Sequence, residues 1–201
     1  MYFFLLSYSI LGAGIKYIDD AFDTKVFNKK IALVIAILLS VLGAYTMLIN
    51  PISATICFAI LCGVLIKGKV DNYAFISALI LVMALVFIAG VQFLILPLIL
   101  LSAAAVLDEV GNDYIDKKRE KLDENKFVHK FAIYFFGQRW IMKVVLLFLA
   151  IFAIVPAVFF VAMICFDYAY IAIGLYSQAK EGTTNTVVIK KALTKFGMIF
   201  K

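Results

Sequence analysis

The chain has 201 residues, 65% of them hydrophobic and only 16% charged, with a mean hydropathy of +1.05. A soluble domain carries about 45–50% apolar and about 25% charged residues, so this composition excludes an ordinary water-exposed globule. The formal charge of +6 does not mark a nucleic-acid binder, because the basic residues fall in short stretches between apolar runs, where they set membrane orientation.

Taken in chain order, the pattern predicts an all-α, polytopic transmembrane helical bundle of about seven spans, with interfacial helices. No carboxylate, Lys, Arg or His occurs from Ile31 to Ile66, nor from Asn72 to Leu107. Each run is long enough to cross a hydrocarbon core of about 30 Å twice, at roughly 20 residues per crossing or somewhat fewer for short spans. The first span is expected at 1–18. It lacks the basic start of a secretory signal, and Gly12-Ala13-Gly14 is a loose match to a cleavage site, so it stays in the protein. Further spans are expected at 31–49, 52–66, 73–90, 91–107, 144–160 and 161–178. Asn50-Pro51 marks the first hairpin, since proline restricts the residue before it. Gly90-Val91-Gln92 gives a weaker hairpin signal, and Pro156 lies near a turn expected at 160.

Orientation selects the count. All 19 Lys and Arg residues fall within 16–30, 67–71, 108–143 and 177–201, and seven spans place these four segments on one side. The positive-inside rule then predicts a cell-membrane protein with its N-terminus outside and its C-terminus in the cytoplasm. Residues 127–143 mix aromatics with Lys130, Arg139 and Lys143, which suits the headgroup layer. Residues 1–178 form the bundle, and 179–201 form a basic amphipathic tail that lies on anionic lipid. Cys57, Cys62 and Cys165 lie in apolar runs without a C-x-x-C pair, as small packing residues do.

Two acidic stretches carry the chemistry. Asp19-Asp20-Ala21-Phe22-Asp23-Thr24-Lys25 and Asn112-Asp113-Tyr114-Ile115-Asp116-Lys117-Lys118 share one pattern, and each follows an apolar span. On a continuing helix Asp19 and Asp23, like Asp113 and Asp116, share a face. Carboxylates that close repel, so a positive group is expected between them. Oxygen donors without His or Cys suit a hard cation, Mg²⁺ before Ca²⁺ or zinc. Asp167 sits inside the last apolar run, where a charge is costly unless it faces the bundle interior.

Asn112-Asp113-Tyr114-Ile115-Asp116-Lys117-Lys118-Arg119-Glu120 resembles the N-D-x-x-D-x-x-x-D motif of UbiA-type intramembrane prenyltransferases, with Glu120 at the last acidic position. The order of the two motifs is reversed relative to that family, and the chain is shorter. The resemblance implies an all-helical enzyme that holds Mg²⁺ against a prenyl diphosphate. Asp19, Asp23, Asn112, Asp113 and Asp116 would be the metal ligands. The Ile18-Asp19-Asp20 stretch is also similar to a segment of polyprenyl-phosphate sugar-1-phosphate transferases, which again implies Mg²⁺ and a lipid phosphate. Lys25, Lys118 and Arg119 are expected to contact phosphate oxygens. The alternatives are a transporter in which Asp167 with Gln92 lines a polar pathway, and a non-catalytic membrane assembly factor.

Overall fold

A computed structural model describes residues 1–68, 70, 72–118, 122 and 126–180, with the backbone alone for Asp116. The expected tail helix lies outside these residues. All regular structure among them is helical: α1 (Tyr2–Phe22), α2 (Lys29–Leu48), α3 (Pro51–Ile66), α4 (Tyr73–Ile88), α5 (Ile95–Lys118), α6 (Phe127–Gly137), α7 (Trp140–Ile151) and α8 (Ala157–Lys180). Three starts are fixed by asparagine side chains that accept from the first free amides, as helix caps do. Asn28 accepts from the Lys30 amide at 2.8 Å, Asn50 from Ile52 at 2.8 Å and Ser53 at 3.1 Å, and Asn72 from Phe75 at 2.9 Å. Pro51 takes the first position of α3, where its missing N–H costs nothing.

Contacts fix the direction of every long helix. Phe4 meets Phe159 with ring centroids 4.9 Å apart, Gly12 lies against the Phe166 backbone, and Gly174 lies against Lys16, so α1 and α8 run parallel. The Leu94 amide donates to Thr55 Oγ1 at 2.9 Å, Gly63 abuts Ala105, and Lys67 reaches Asp113 at 2.9 Å, so α3 and α5 also run parallel. Ser40 on α2 donates to the Ala78 carbonyl at 3.1 Å, between a core cluster that holds Ala32, Ala36 and Ala74 and one that holds Met47, Val82 and Val86. That pair is parallel too. In contrast α1 and α2 are antiparallel, with Phe3 against Tyr45 and Tyr17 against Phe27. The N-terminus of α7 meets Asp108 in the second half of α5, and Leu146 and Leu149 share a core cluster with the earlier Leu101, so these two are also antiparallel. Leaving α6 aside, the seven other helices alternate in direction along the chain.

In the packing, α1, α2, α3, α5, α7 and α8 close a ring, with α4 outside against α2 and α6 beside α5. Tyr8, Ile56, Ala59, Leu101, Ala104, Leu146 and Phe159 fill its centre. Outward faces are apolar: Val34, Leu38, Val41 and Tyr45 on α2 are exposed, and Phe87 on α4 is 87% exposed. Exposed apolar surface on this scale is unusual for a soluble monomer. The helices α2, α5 (over Ile95–Ile115) and α8 are long and apolar enough to cross a membrane, and α6 with α7 makes a fourth if the bent pair is one span. That is what a membrane protein requires.

Two expected boundaries move. The helix break near 90 is real but longer, from Ala89 to Leu94, with Gly90 at φ 62°. The last turn falls at 152–156 instead of near 160, because Ala153 adopts φ 56° and Pro156 then precedes α8 directly. The segment 127–143 holds all of α6 and the start of α7. It bends by 76° between α6 and α7, at Arg139 with φ 51°.

Candidate functional site

One end of the bundle gathers the charges. Because the long helices alternate, the C-terminal turns of α1, α3, α5 and α8 and the starts of α2, α4 and α7 lie at that end. The loops of the other end, 49–50, 89–94 and 152–156, carry no charged residue.

On α1, Lys16 stands one turn before the acidic pair and reaches both members, Asp19 at 3.2 Å and Asp20 at 2.7 Å. Its ammonium also lies 5.4 Å from the centre of the Tyr170 ring, and the Tyr170 hydroxyl donates to Asp19 Oδ2 at 3.2 Å. Asp20 is buried, and its Oδ2 has no hydrogen-bond partner among the described residues. Asp23 caps α1 with helical backbone angles, so the expected i,i+4 spacing from Asp19 holds, but its side chain is exposed. Lys25 is exposed just beyond, at φ 59°.

On α5 the helix continues through the second motif to Lys118, so Asp113 and Asp116 do fall one turn apart. Asp113 pairs with Lys67, and Lys118 donates to the Tyr114 hydroxyl at 2.7 Å. Asn112 is half-buried. The side chain of Asp116 and the whole of Arg119 lie outside the described residues. The two acidic stretches therefore share a sequence pattern without sharing an environment. Asp20 is held by its own helix, and its counterpart Asp113 by a lysine from α3.

The deeper charges are Asp108 and Glu109, both buried at the point where α5 leaves its apolar run. Asp108 accepts from the Ile141 amide through Oδ1 at 2.9 Å and from the Met142 amide through Oδ2 at 2.8 Å. It thus caps α7 from a neighbouring helix, satisfying two free amides at the positive end of the helix dipole. Glu109 receives Arg139 Nε at 3.0 Å, which holds the elbow residue in its left-handed conformation. Lys143, one turn later, donates to the Gln138 carbonyl at 2.6 Å and to the Asp167 carboxylate. Asp167 therefore faces the bundle interior, as its cost in an apolar run demands. Its partner is Lys143, whereas Gln92 is exposed in a loop of the opposite end.

Arg139 and Lys143, whose setting among aromatics suggests headgroup anchors, each pair with a carboxylate, Glu109 and Asp167. The positive groups expected between the acidic residues come, for those just described, from Lys16, Lys67, Arg139 and Lys143. The sequence gives no direct sign of the partner choice. The oxygen-only donors match a hard cation in kind, yet among the described residues no three His, Cys, Asp or Glu side chains stand together as a metal-binding group.

Compared with protein-family models, curated proteins and solved structures, the chain matches none.

Proposed function

We propose that the chain is a seven-span cell-membrane protein, N-terminus outside and C-terminus cytoplasmic, that acts as a Mg²⁺-dependent transferase on a prenyl diphosphate or related lipid phosphate. One observation carries this reading. Alternating helix directions bring the acidic C-terminal turns of α1 and α5 to the same end of the bundle, together with the described basic residues. Parallel first and last helices also require an odd number of crossings if each long helix is a span. On this reading α3, α4 and α7 are short spans, which bilayer thinning and flanking lysines accommodate.

Asp19, Asp23, Asn112, Asp113 and Asp116 would hold Mg²⁺, which when bound neutralises the leaving diphosphate. Lys25, Lys118 and Arg119 would contact phosphate oxygens, and the apolar ring would keep water from an allylic cation. Because Lys16 and Lys67 already hold Asp19 and Asp113, metal must compete with them. Measuring the Mg²⁺-dependent thermal shift in detergent with and without geranylgeranyl diphosphate tests the activity. No Mg²⁺-dependent stabilisation by the diphosphate at millimolar Mg²⁺ overturns it. Cysteine placed at Lys117 and labelled from outside overturns the topology.

A second reading, a small transporter, is favoured by the Lys143–Asp167 pair between α7 and α8. It predicts liposome flux that Asp167→Asn blocks. In that case the loop carboxylates tune affinity only through surface charge.

A further inference from the structure

The elbow leaves one helix without a place in the ring. No residue of α6 is buried, and it departs from the axis of α7 by 76°. Since α7 is antiparallel to α5 and α8 in the ring, α6 runs across the end of the bundle instead of along it. Phe127, Val128 and Phe131 are exposed on it, and Phe127, Phe131 and Phe135 stack in series with centroids 6.5 and 5.5 Å apart. Its other side clasps α5, where Phe136 packs on Gly111 beside the Asn112-Asp113 motif.

Charge identifies what covers the exposed face. From Lys126 to Lys143 the sequence contains no acidic residue. Arg139 and Lys143 are spent on Glu109 and Asp167, while Lys126 and Lys130, four residues apart, are exposed beside the aromatic face. A helix with an aromatic face and flanking lysines, lying across the bundle at its charged end, matches an anionic leaflet. Its rings sit at the acyl boundary and its lysines reach headgroup phosphates.

We propose that α6 is an in-plane interfacial helix that docks on the anionic headgroups of the leaflet at the charged end, through Phe127, Val128, Phe131, Lys126 and Lys130. The proposal rests on the membrane reading and is independent of the transferase activity. Trp140 is the only tryptophan, so a single fluorescent probe can be moved at will. Phe131→Trp in a Trp140→Phe background, and Val128→Trp as a second placement, are reconstituted in phosphatidylcholine and phosphatidylglycerol mixtures with one lipid brominated. Ile80→Trp on the exposed face of α4 serves as the bilayer control.

The expected result is stronger quenching of the α6 probes by shallow than by deep bromines, with the reverse for Ile80→Trp. Brominated phosphatidylglycerol should quench α6 more than brominated phosphatidylcholine at equal content. That preference should fall about fivefold for each of Lys126→Gln and Lys130→Gln, the worth of one basic residue beside an anionic leaflet. Equal quenching by the two lipids overturns the proposal. So does an α6 probe that no lipid quenches while Ile80→Trp responds, the result expected if a protein partner covers this face. An unquenched Ile80→Trp removes the membrane reading itself.

Discussion

The ammonium of Lys143 on α7 bonds the carboxylate of Asp167 on α8, joining the two helices that close the ring beside α1. Lys143 is only 5% exposed. A buried pair of this kind gains little over well-packed apolar side chains, but removing one partner strands the other charge. Lys143→Met or Asp167→Leu alone should each cost about 3–5 kcal/mol, whereas the double substitution should be close to neutral. Unfolding of the four proteins in detergent checks this. Additive losses in the double variant would show that the two residues act separately.

Asp108 is a second load on the same elbow. Both its oxygens accept α7 amides, so Asp108→Ala should cost about 1–2 kcal/mol, the value of a lost helix cap. Asp108→Asn keeps one acceptor and should lose less. Amide hydrogen exchange gives the specific readout, with Ile141 and Met142 exchanging faster than their neighbours in α7. Unchanged exchange at these two amides would contradict the capping role.

Close approach of α1 and α8 depends on Gly12, where an added Cβ would strike the carbonyl of Phe166. Backbone cannot step aside as a side chain can, so Gly12→Ala should cost about 1–3 kcal/mol, as overpacking does. Gly137 has open space at the same test position, so Gly137→Ala should be neutral or slightly stabilising. Melting temperatures of the two variants that move together would refute the contact.

Helix content and the hairpin at Asn50-Pro51 are legible in the sequence, because apolar run length and capping residues act locally. The run of α5 on through Asp116 lies past the apolar run and enters the sequence reading only as a condition. The interior positions of Asp167 and Lys143 are half legible. The cost of a charge in an apolar run says that Asp167 needs a partner, but not which one. Arg139 reads as a headgroup anchor because the one-dimensional pattern cannot show that the chain turns at this residue. The turn at 152–156 was hidden for a related reason. Ala153 carries no turn signature, yet it adopts a left-handed conformation that a side chain disfavours. Pairing of Asp113 with Lys67 joins residues far apart in sequence, and no spacing rule reaches that far.

Lys16 separates a structural role of the α1 carboxylates from a metal site. Its ammonium lies within hydrogen-bond reach of both Asp19 and Asp20, while Asp20 Oδ2 is buried without a partner among the described residues. If these carboxylates face a Mg²⁺ site, the lysine competes with the metal, and Lys16→Met should raise apparent Mg²⁺ affinity about tenfold or more. A unit charge at about 4 Å is worth roughly 1–4 kcal/mol between water and a protein-surface dielectric, which sets that scale. In the same assay Asp116→Asn should abolish Mg²⁺-dependent binding of prenyl diphosphate, since it removes a charge while keeping the side chain's shape. Asp167→Asn should leave that binding intact, because Lys143 and the Asp167 carboxylate form a separate pair in the α7–α8 interface. Titrating the three variants with Mg²⁺ and geranylgeranyl diphosphate in nanodiscs ranks the effects. If Lys16→Met lowers the melting temperature and Mg²⁺ does not restore it, Asp19 and Asp20 are the fixed counter-ions of Lys16, and the α1 half of the proposed metal site is lost.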